Sequence, residues 1–91
     1  MAKEDAPSIS GTVIRDGQPA GSVYVRLVGP SGEFVAEEYT QDDGGFSFHV
    51  AAGTWTIEAR AAGAETAKQS VDVSTGEQTV QVDLQPAPSS R

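Results

Sequence analysis

The sequence predicts an all-β protein, a seven-stranded antiparallel β-sandwich with Greek-key connections. Residues 45–50 and 53–60 alternate apolar and polar side chains, which is the period of a strand buried on one face. Glycine-centred turns separate short segments of this kind along the chain, and no segment repeats its apolar residues at helical spacing. Ninety-one residues are enough for one domain with a single, modest core.

The rest of the sandwich is organised around a central pair of predicted strands within residues 42–60. We expect its apolar parity to supply the centre of the core, namely Phe46, Phe48, Val50, Trp55, Ile57 and Ala59. Trp55 should therefore pack inside the core and not form an exposed platform for a sugar ring. His49 should point outward, where no neighbouring residue supplies the nucleophile or orienting carboxylate that a general base needs.

Five further strands complete the predicted sandwich. They lie at residues 8–14, 22–28, 33–40, 68–73 and 78–84. The third of these five has no clear inner face, because apolar side chains occur on both of its parities. The alanine-rich segment after Arg60 is predicted to be a loop, since seven residues are too few for a stable isolated helix.

The predicted domain spans residues 8–84, between a flexible N-terminal tail at 1–7 and a disordered C-terminal tail at 85–91. The first residues hold no apolar segment typical of a signal peptide, so as the chain stands we expect a cytoplasmic protein. An extracellular location stays open if a leader has been removed. The compartment cannot be read from cysteines, because the chain has none.

The charge of the chain bears on its partners. Thirteen acidic and six basic residues give a formal net charge of −7. Binding to nucleic acid or to an anionic membrane needs a basic surface, so neither is expected, and no apolar run is long enough for membrane insertion. We expect an acidic, soluble domain whose partner is a protein, and its oligomeric state stays open.

Two adjacent carboxylates are the candidate metal ligands. Asp42 and Asp43 precede two glycines and could offer oxygen atoms to calcium. A calcium site needs six to eight oxygen ligands, however, and aspartate before glycine is also a common turn sequence. We therefore expect turn residues here, with no bound metal and no cofactor.

The candidate binding residues are Tyr24, Arg26 and Tyr39. Tyr24 and Arg26 alternate with Val23, Val25 and Leu27, so they should share the outward face of their strand. Tyrosine and arginine are enriched among the residues that dominate binding energy at protein interfaces. These three side chains are interpreted as a possible contact patch, with a solvated polar face as the alternative.

A resemblance supports the fold assignment. The residues that carry it are Gly11-x-Val13, Val25-x-Leu27, Gly45-Phe46-x-Phe48 and Gly53-x-Trp55-x-Ile57-x-Ala59. This pattern resembles the carboxypeptidase regulatory-like, or transthyretin-like, domains over residues 9–84. The resemblance implies a prealbumin-type, Ig-like sandwich that stabilises or presents a neighbouring domain. The related hydroxyisourate hydrolases depend on several histidines, whereas this chain has one.

A narrower resemblance rests on Tyr24-Val25-Arg26-Leu27 and on Ala52-Gly53-x-Trp55-Thr56. These segments are similar to a small actinobacterial family of unknown function whose members are often named alongside thiosulfate sulfurtransferases. The resemblance implies a single sandwich domain without established activity. Because this chain lacks cysteine, it could accompany a sulfurtransferase but could not itself carry a persulfide.

Taken together, these patterns predict a non-catalytic structural or protein-interaction module and no enzyme. The alternatives are a module that binds carbohydrate or another small ligand, and an accessory protein to a sulfurtransferase.

Overall fold

A computed structural model describes residues 7–87, and every regular element in this range is a β-strand. The eight strands are β1 (Ser8–Arg15), β2 (Gln18–Pro19), β3 (Tyr24–Val28), β4 (Phe34–Tyr39), β5 (Gly45–His49), β6 (Gly53–Arg60), β7 (Ala67–Val73) and β8 (Glu77–Leu84). The all-β fold class is confirmed. The eighth strand is the two-residue β2, which is too short to show any alternation in the sequence.

The strands form two sheets of four. Sheet I has β1 at its centre, with β8 on one side and with β5 and β2 on the other. Sheet II has the order β4-β3-β6-β7 and is antiparallel throughout. In sheet I, β1 pairs antiparallel with β5 and β2 but parallel with β8, over the full length of both strands. The first and last strands are thus neighbours, and their parallel pairing departs from the antiparallel arrangement expected from sequence.

The core lies between the sheets and is formed by the inward parity of each strand. Its fully enclosed side chains are Ile9, Val13, Val25, Leu27 and Ile57. Around them pack buried aromatic and aliphatic side chains, which are Val23, Phe46, Phe48, Trp55, Ala59, Val71, Val73, Val82 and Leu84. Five of the six central core residues predicted from sequence are therefore buried. Val50 is only half-buried, because it follows the last residue of β5.

Gly11 shows why one inward position of β1 carries no side chain. A Cβ atom at Gly11 would lie 2.7 Å from Cζ of Phe46 and 2.4 Å from the backbone oxygen of Val80. Both distances are shorter than van der Waals contact, so the Phe46 ring occupies the space above the glycine. The small residue at this position lets the aromatic ring pack directly on the β1 backbone.

The tight turn between β1 and β2 is formed by Asp16 and Gly17, which have φ angles of 56° and 77°. Two consecutive positive φ angles are the requirement of a type I′ turn, and Asp-Gly is one of the pairs that adopt it most readily. The turn signal read from the sequence is therefore present, and it closes the short β1–β2 hairpin.

The chain crosses from sheet II to sheet I at Thr40, the one buried polar residue in the described range. Its Oγ1 accepts a hydrogen bond from the backbone N–H of Val23 and donates one to the carbonyl oxygen of Ala20, at 2.9 and 2.7 Å. These bonds pair one buried and one partly buried backbone group in the segment that leads into β3. Thr40 thereby fixes the corner from which β4 and β5 diverge.

After β6, residues 61–66 form turns and an isolated bridge, in agreement with the predicted loop. The loop pairs with the start of the predicted C-terminal tail: Ala64 bridges to Pro86, and the N–H of Glu65 donates to the Gln85 carbonyl at 2.8 Å. Of the predicted tails, residues 1–6 and 88–91 lie outside the described range. Within residues 7–87, no helix is long and apolar enough to cross a membrane.

Candidate functional site

The outer face of sheet II gathers the three binding residues predicted from sequence. Cα pairing places Tyr24 on β3 opposite Tyr39 on β4, and Arg26 follows Tyr24 on the same face. Phe34 at the start of β4 lies opposite Val28 and joins the same face. We call Tyr24, Arg26, Phe34 and Tyr39 the aromatic–arginine cluster.

Contacts within the cluster are aromatic and cation–π in kind. The ring centroids of Tyr24 and Tyr39 are 5.5 Å apart and the rings are tilted by 57°. The guanidinium carbon of Arg26 lies 5.9 Å from the Tyr24 ring centroid and 5.2 Å from that of Phe34. Both distances fall within the range of a cation–π interaction, so Arg26 links the tyrosine pair to the phenylalanine.

Arg26 is held by aromatic rings on two sides and faces a carboxylate on each neighbouring strand. Its Cα partners are Glu37 on β4 and Glu58 on β6, and the Tyr24 hydroxyl donates a hydrogen bond to Oε1 of Glu37. The pKa of Arg26 is raised, first by its hydrogen-bonding interaction with Tyr24 and then by attraction to the surrounding negative groups. Burial opposes this rise only in part, so Arg26 stays a cation throughout the ordinary pH range.

One donor of this cation is buried and unpaired. The Nε atom of Arg26 is shielded from solvent and has no hydrogen-bond partner in residues 7–87. A buried N–H donor without an acceptor costs free energy. A bound partner could offset this cost only if one of its acceptor atoms reached Nε of Arg26. Arg26 as a whole is half-buried on the outer face of sheet II.

The exposed fraction of the cluster is concentrated on the edge strand β4. Tyr39 is 65 % exposed, Phe34 55 % and Val35 45 %, and these are the large apolar side chains exposed in the described range. Tyr24 is half-buried by its neighbours. Apolar side chains scattered singly on a surface need no explanation, whereas aromatic side chains grouped on one sheet face are typical of contact sites.

A β-bulge explains why the sequence left the inner face of β4 ambiguous. The pairing of β3 with β4 shifts between Leu27 and Val28, so that Ala36 opposes Leu27 but Phe34 opposes Val28. The bulged residue, Val35, breaks the period of two, and Phe34 then joins the outward parity of β3. Phe34 and Glu37 thus lie beside the candidate binding residues, a position that sequence reasoning missed because only the strand register shows it.

Asp42 and Asp43 lie in the exposed turn between β4 and β5. Oδ1 of Asp43 accepts a hydrogen bond from the backbone N–H of Gly45 at 2.8 Å, and Gly44 has a φ angle of 80°. This side-chain-to-backbone bond is the usual role of aspartate in a turn. In residues 7–87, no three histidine, cysteine or acidic side chains come together as metal ligands would.

The other two aromatic or titratable residues considered from sequence occupy the expected sides of their strands. Trp55 is 8 % exposed, and its Nε1 donates a hydrogen bond to the Ala51 carbonyl at 2.8 Å. It is therefore a core residue with its polar atom satisfied. His49 is exposed at the end of β5, opposite Ser8.

A depression of about 520 Å³ lies on the opposite side of the sandwich. Its lining includes Ile14, Asp16, Gln81, Asp83 and Pro86, between the β1–β2 hairpin and the end of β8. Its eight lining residues include two carboxylates and two amides beside the apolar side chains of Ile14, Leu84 and Pro86, and none is aromatic. It therefore lacks the predominantly apolar and aromatic lining that is typical of small-molecule sites.

Comparison with known protein families assigns the chain to one of them. Residues 2–85 match the family described as "Protein of unknown function (DUF1416)". The chain belongs to this family. Among its relatives is uncharacterized protein Rv0814c of Mycobacterium tuberculosis, which is 44 % identical over 55 residues, 59 % of this chain and 55 % of the relative. An uncharacterized protein of Mycolicibacterium smegmatis is 44 % identical over 52 residues, 56 % of this chain and 58 % of the relative.

Alignments to these curated relatives span little more than half of their length. Among solved structures, the minor pilin GBS52 of Streptococcus agalactiae has a TM-score of 0.75 at 13 % identity, covering 96 % of this chain and 48 % of the pilin. The Acinetobacter catechol 1,2-dioxygenase has a TM-score of 0.66 at 10 % identity, covering 90 % of this chain and 53 % of the enzyme. At such identities the likeness concerns the fold alone, and it supports the β-sandwich assignment.

Proposed function

We propose that the domain is a non-catalytic protein-interaction module and that the outer face of sheet II is its contact surface. The observation that carries this proposal is the aromatic–arginine cluster, in which two tyrosines, a phenylalanine and an arginine share one face. Aromatic residues and arginine are enriched at protein interfaces, and tyrosine and arginine dominate their binding energy.

The arrangement of the cluster suits a protein surface. Phe34 and Tyr39 project from the edge strand and are more than half exposed, while Arg26 lies between aromatic rings that restrict its motion. A side chain that is already ordered loses less conformational entropy on binding. The two exposed rings can then be covered by a partner while Arg26 supplies a directed positive charge.

Binding of a carbohydrate or another small ligand is the alternative read from sequence. Sugar-binding platforms need an open aromatic face, and Tyr24 and Tyr39 were the candidates. Their rings are tilted by 57°, and Tyr24 is half-buried, so they do not form a flat pair on which a sugar chain could stack. This geometry favours the protein-interaction proposal.

The resemblance to proteins named alongside thiosulfate sulfurtransferases suggests one class of partner. Because the chain contains no cysteine, its part in such a complex would be structural, through the contact surface. A sulfurtransferase is therefore the first partner to look for in a capture experiment.

Affinity capture from lysate of an actinobacterium that carries this family, followed by quantitative mass spectrometry, tests the proposal. The variant that removes the exposed rings combines Phe34→Ala with Tyr39→Ala. We expect the amount of partner captured to fall at least tenfold with this variant, because truncating a side chain that acts as an interface hot spot costs about 2 kcal/mol or more.

The matched control combines His49→Ala with Thr79→Ala, two exposed positions on sheet I. It should capture the partner as the wild type does. Equal capture by all three proteins would show that the outer face of sheet II is not the contact surface.

A further inference from the structure

The outer face of sheet II carries one row of charges that alternates in sign from edge to edge. Cα pairing places Lys68 opposite Glu58, Glu58 opposite Arg26, and Arg26 opposite Glu37. The row therefore reads positive, negative, positive, negative across β7, β6, β3 and β4. Neighbouring strands lie about 4.8 Å apart, so opposite charges are adjacent along the whole row.

We infer that this row makes the face self-complementary, so that the protein pairs with a second copy of itself through the outer face of sheet II. The inference rests on the proposal that this face is the contact surface. A two-fold axis parallel to the strands, between β3 and β6, sets β3 against β6 of the second copy and β4 against its β7. In that arrangement Arg26 faces Glu58 of the second copy, and Glu37 faces its Lys68.

The direction of the axis follows from the charges. A two-fold axis along the row, perpendicular to the strands, would set each charge against the same charge and would be repulsive. The axis parallel to the strands reverses the order of the row in the second copy. Each charge then faces an opposite charge, which gives four opposite-charge contacts in the dimer. A two-fold interface uses the same patch on both copies, which is the property that this row has.

The rows on either side are compatible with the same axis. On one side, Tyr24 pairs with Arg60 of the same chain, and the axis sets Tyr24 beneath Arg60 of the second copy. That contact is a cation–π pair, and it forms twice. On the other side, Val28 pairs with Thr56, and the axis brings Val28 against Thr56 of the second copy. No like-charge contact arises in either row.

The distribution of charge over the molecule favours this face for self-association. The net charge of −7 makes two copies repel one another over most of their surfaces. Residues 7–87 contain four lysines and arginines, and three of them, Arg26, Arg60 and Lys68, lie on the outer face of sheet II. The electrostatic repulsion between two copies is therefore smallest when their sheet II outer faces meet. For this reason we infer that the partner at this face is a second copy of the chain.

The expected dimer is weak. Four strands about 4.8 Å apart and five residues of about 3.4 Å each give a face of roughly 15 by 17 Å between strand axes. Face-to-face sheets also cross at about −30°, so the central Arg26–Glu58 contacts align better than the outer Glu37–Lys68 contacts. Counted on both copies this footprint is roughly 500 Å², below the roughly 1,000 Å² expected of a stable interface, so the dimer belongs to the weak, transient class.

Charge exchange between two variants tests the pairing. Sedimentation velocity over micromolar to millimolar concentrations should show a monomer–dimer equilibrium for the wild type. Arg26→Glu and Glu58→Arg should each weaken it by about tenfold or more, because each creates two like-charge contacts across the axis. An equimolar mixture of the two variants should restore the dimer, since each changed charge then meets an opposite charge on the other copy.

The mixture separates pairing between copies from effects within one chain. Each single substitution also alters a cross-strand pair of its own chain, but mixing cannot repair that. Asp83→Arg on sheet I is the control, because it changes the net charge as Glu58→Arg does and should leave the dimer unchanged. If a central variant does not fold, Glu37→Lys and Lys68→Glu provide an equivalent pair at exposed positions of the same row.

A monomer at all concentrations, or variants that weaken the dimer without recovery on mixing, would overturn the inference. A dimer insensitive to every substitution in the row would also overturn it. These outcomes differ from failure of the proposed function. The protein could be strictly monomeric and its captured partner could still be lost when Phe34→Ala is combined with Tyr39→Ala. In that case the contact surface would be supported, and only its pairing with a second copy would be rejected.

Discussion

The outer face of sheet I is mainly polar and carries no tyrosine, phenylalanine or tryptophan, whereas that of sheet II carries two tyrosines, a phenylalanine and an arginine. The outward residues of sheet I include Ser8, Ser10, Thr12, Ser47 and Thr79. Ser10 donates a hydrogen bond of 2.5 Å to the carboxylate of Glu77 on the neighbouring strand β8. Sheet II instead holds a tilted pair of tyrosine rings, a cation between the Tyr24 and Phe34 rings and a row of alternating charges.

This difference separates what the fold requires from what it permits. Both sheets bury aliphatic and aromatic side chains on their inner faces, and each contains four strands. Sheet I shows that an outer face of this sandwich can be formed without large aromatic side chains. This contrast supports the proposal that the aromatic residues of sheet II serve contact.

The largest expected change in stability comes from truncating core residues, and it tests whether the inner faces of the two sheets contribute equally to stability. Ile9 in sheet I and Ile57 in sheet II are both fully buried. Ile9→Ala and Ile57→Ala should each lower the free energy of unfolding by about 2–5 kcal/mol, from lost burial and the cavity left behind. Urea unfolding at a concentration where the wild type is monomeric measures both. A loss below about 1 kcal/mol in one sheet alone would mean that the two inner faces are not equivalent.

The inner faces were largely predictable from the sequence, and the reason is local. In β3, Val23, Val25 and Leu27 alternate with outward residues, and a period of two assigns a face without knowledge of any neighbour. In β4 the same reasoning failed, because the bulge at Val35 inverts the parity of Phe34. A bulge depends on the pairing of two strands, and it leaves little trace in one of them.

Long-range pairing was beyond the sequence patterns for the same reason. The parallel contact between β1 and β8 joins residues about seventy positions apart, and nothing in either strand specifies the other. At the candidate site, the outward parity of Tyr24 and Arg26 was readable. The positions of Glu58 beside Arg26 and of Lys68 beside Glu58 were not readable, because a shift in register of two residues would preserve their parity and still break the row.

A smaller effect should distinguish the outer faces in their response to salt. Arg26→Met keeps an unbranched stem over the rings but removes the charge from the centre of the row. Its thermal midpoint should fall below that of the wild type at low salt and approach it as salt screens the remaining charges. Ser47→Ala on sheet I should shift the midpoint less and without salt dependence. Equal salt responses would mean that the charge row does not stabilise sheet II.

The smallest expected change in stability belongs to the residues on which we expect binding to depend most. Tyr39 and Phe34 are 65 % and 55 % exposed, so each covers little surface that solvent cannot already reach. Tyr39→Ala and Phe34→Ala should therefore each change the free energy of unfolding by no more than about 0.5 kcal/mol. Urea unfolding of the monomer measures this change.

Stability and capture should consequently separate at these two positions. A variant that unfolds as the wild type does but loses its partner would show that the rings serve contact and not folding. A loss above about 1.5 kcal/mol would point the other way, because it would mean that the rings are needed to hold β4 on β3. The large aromatic residues of sheet II would then have a structural reason that sheet I lacks, and the difference between the outer faces would no longer indicate function.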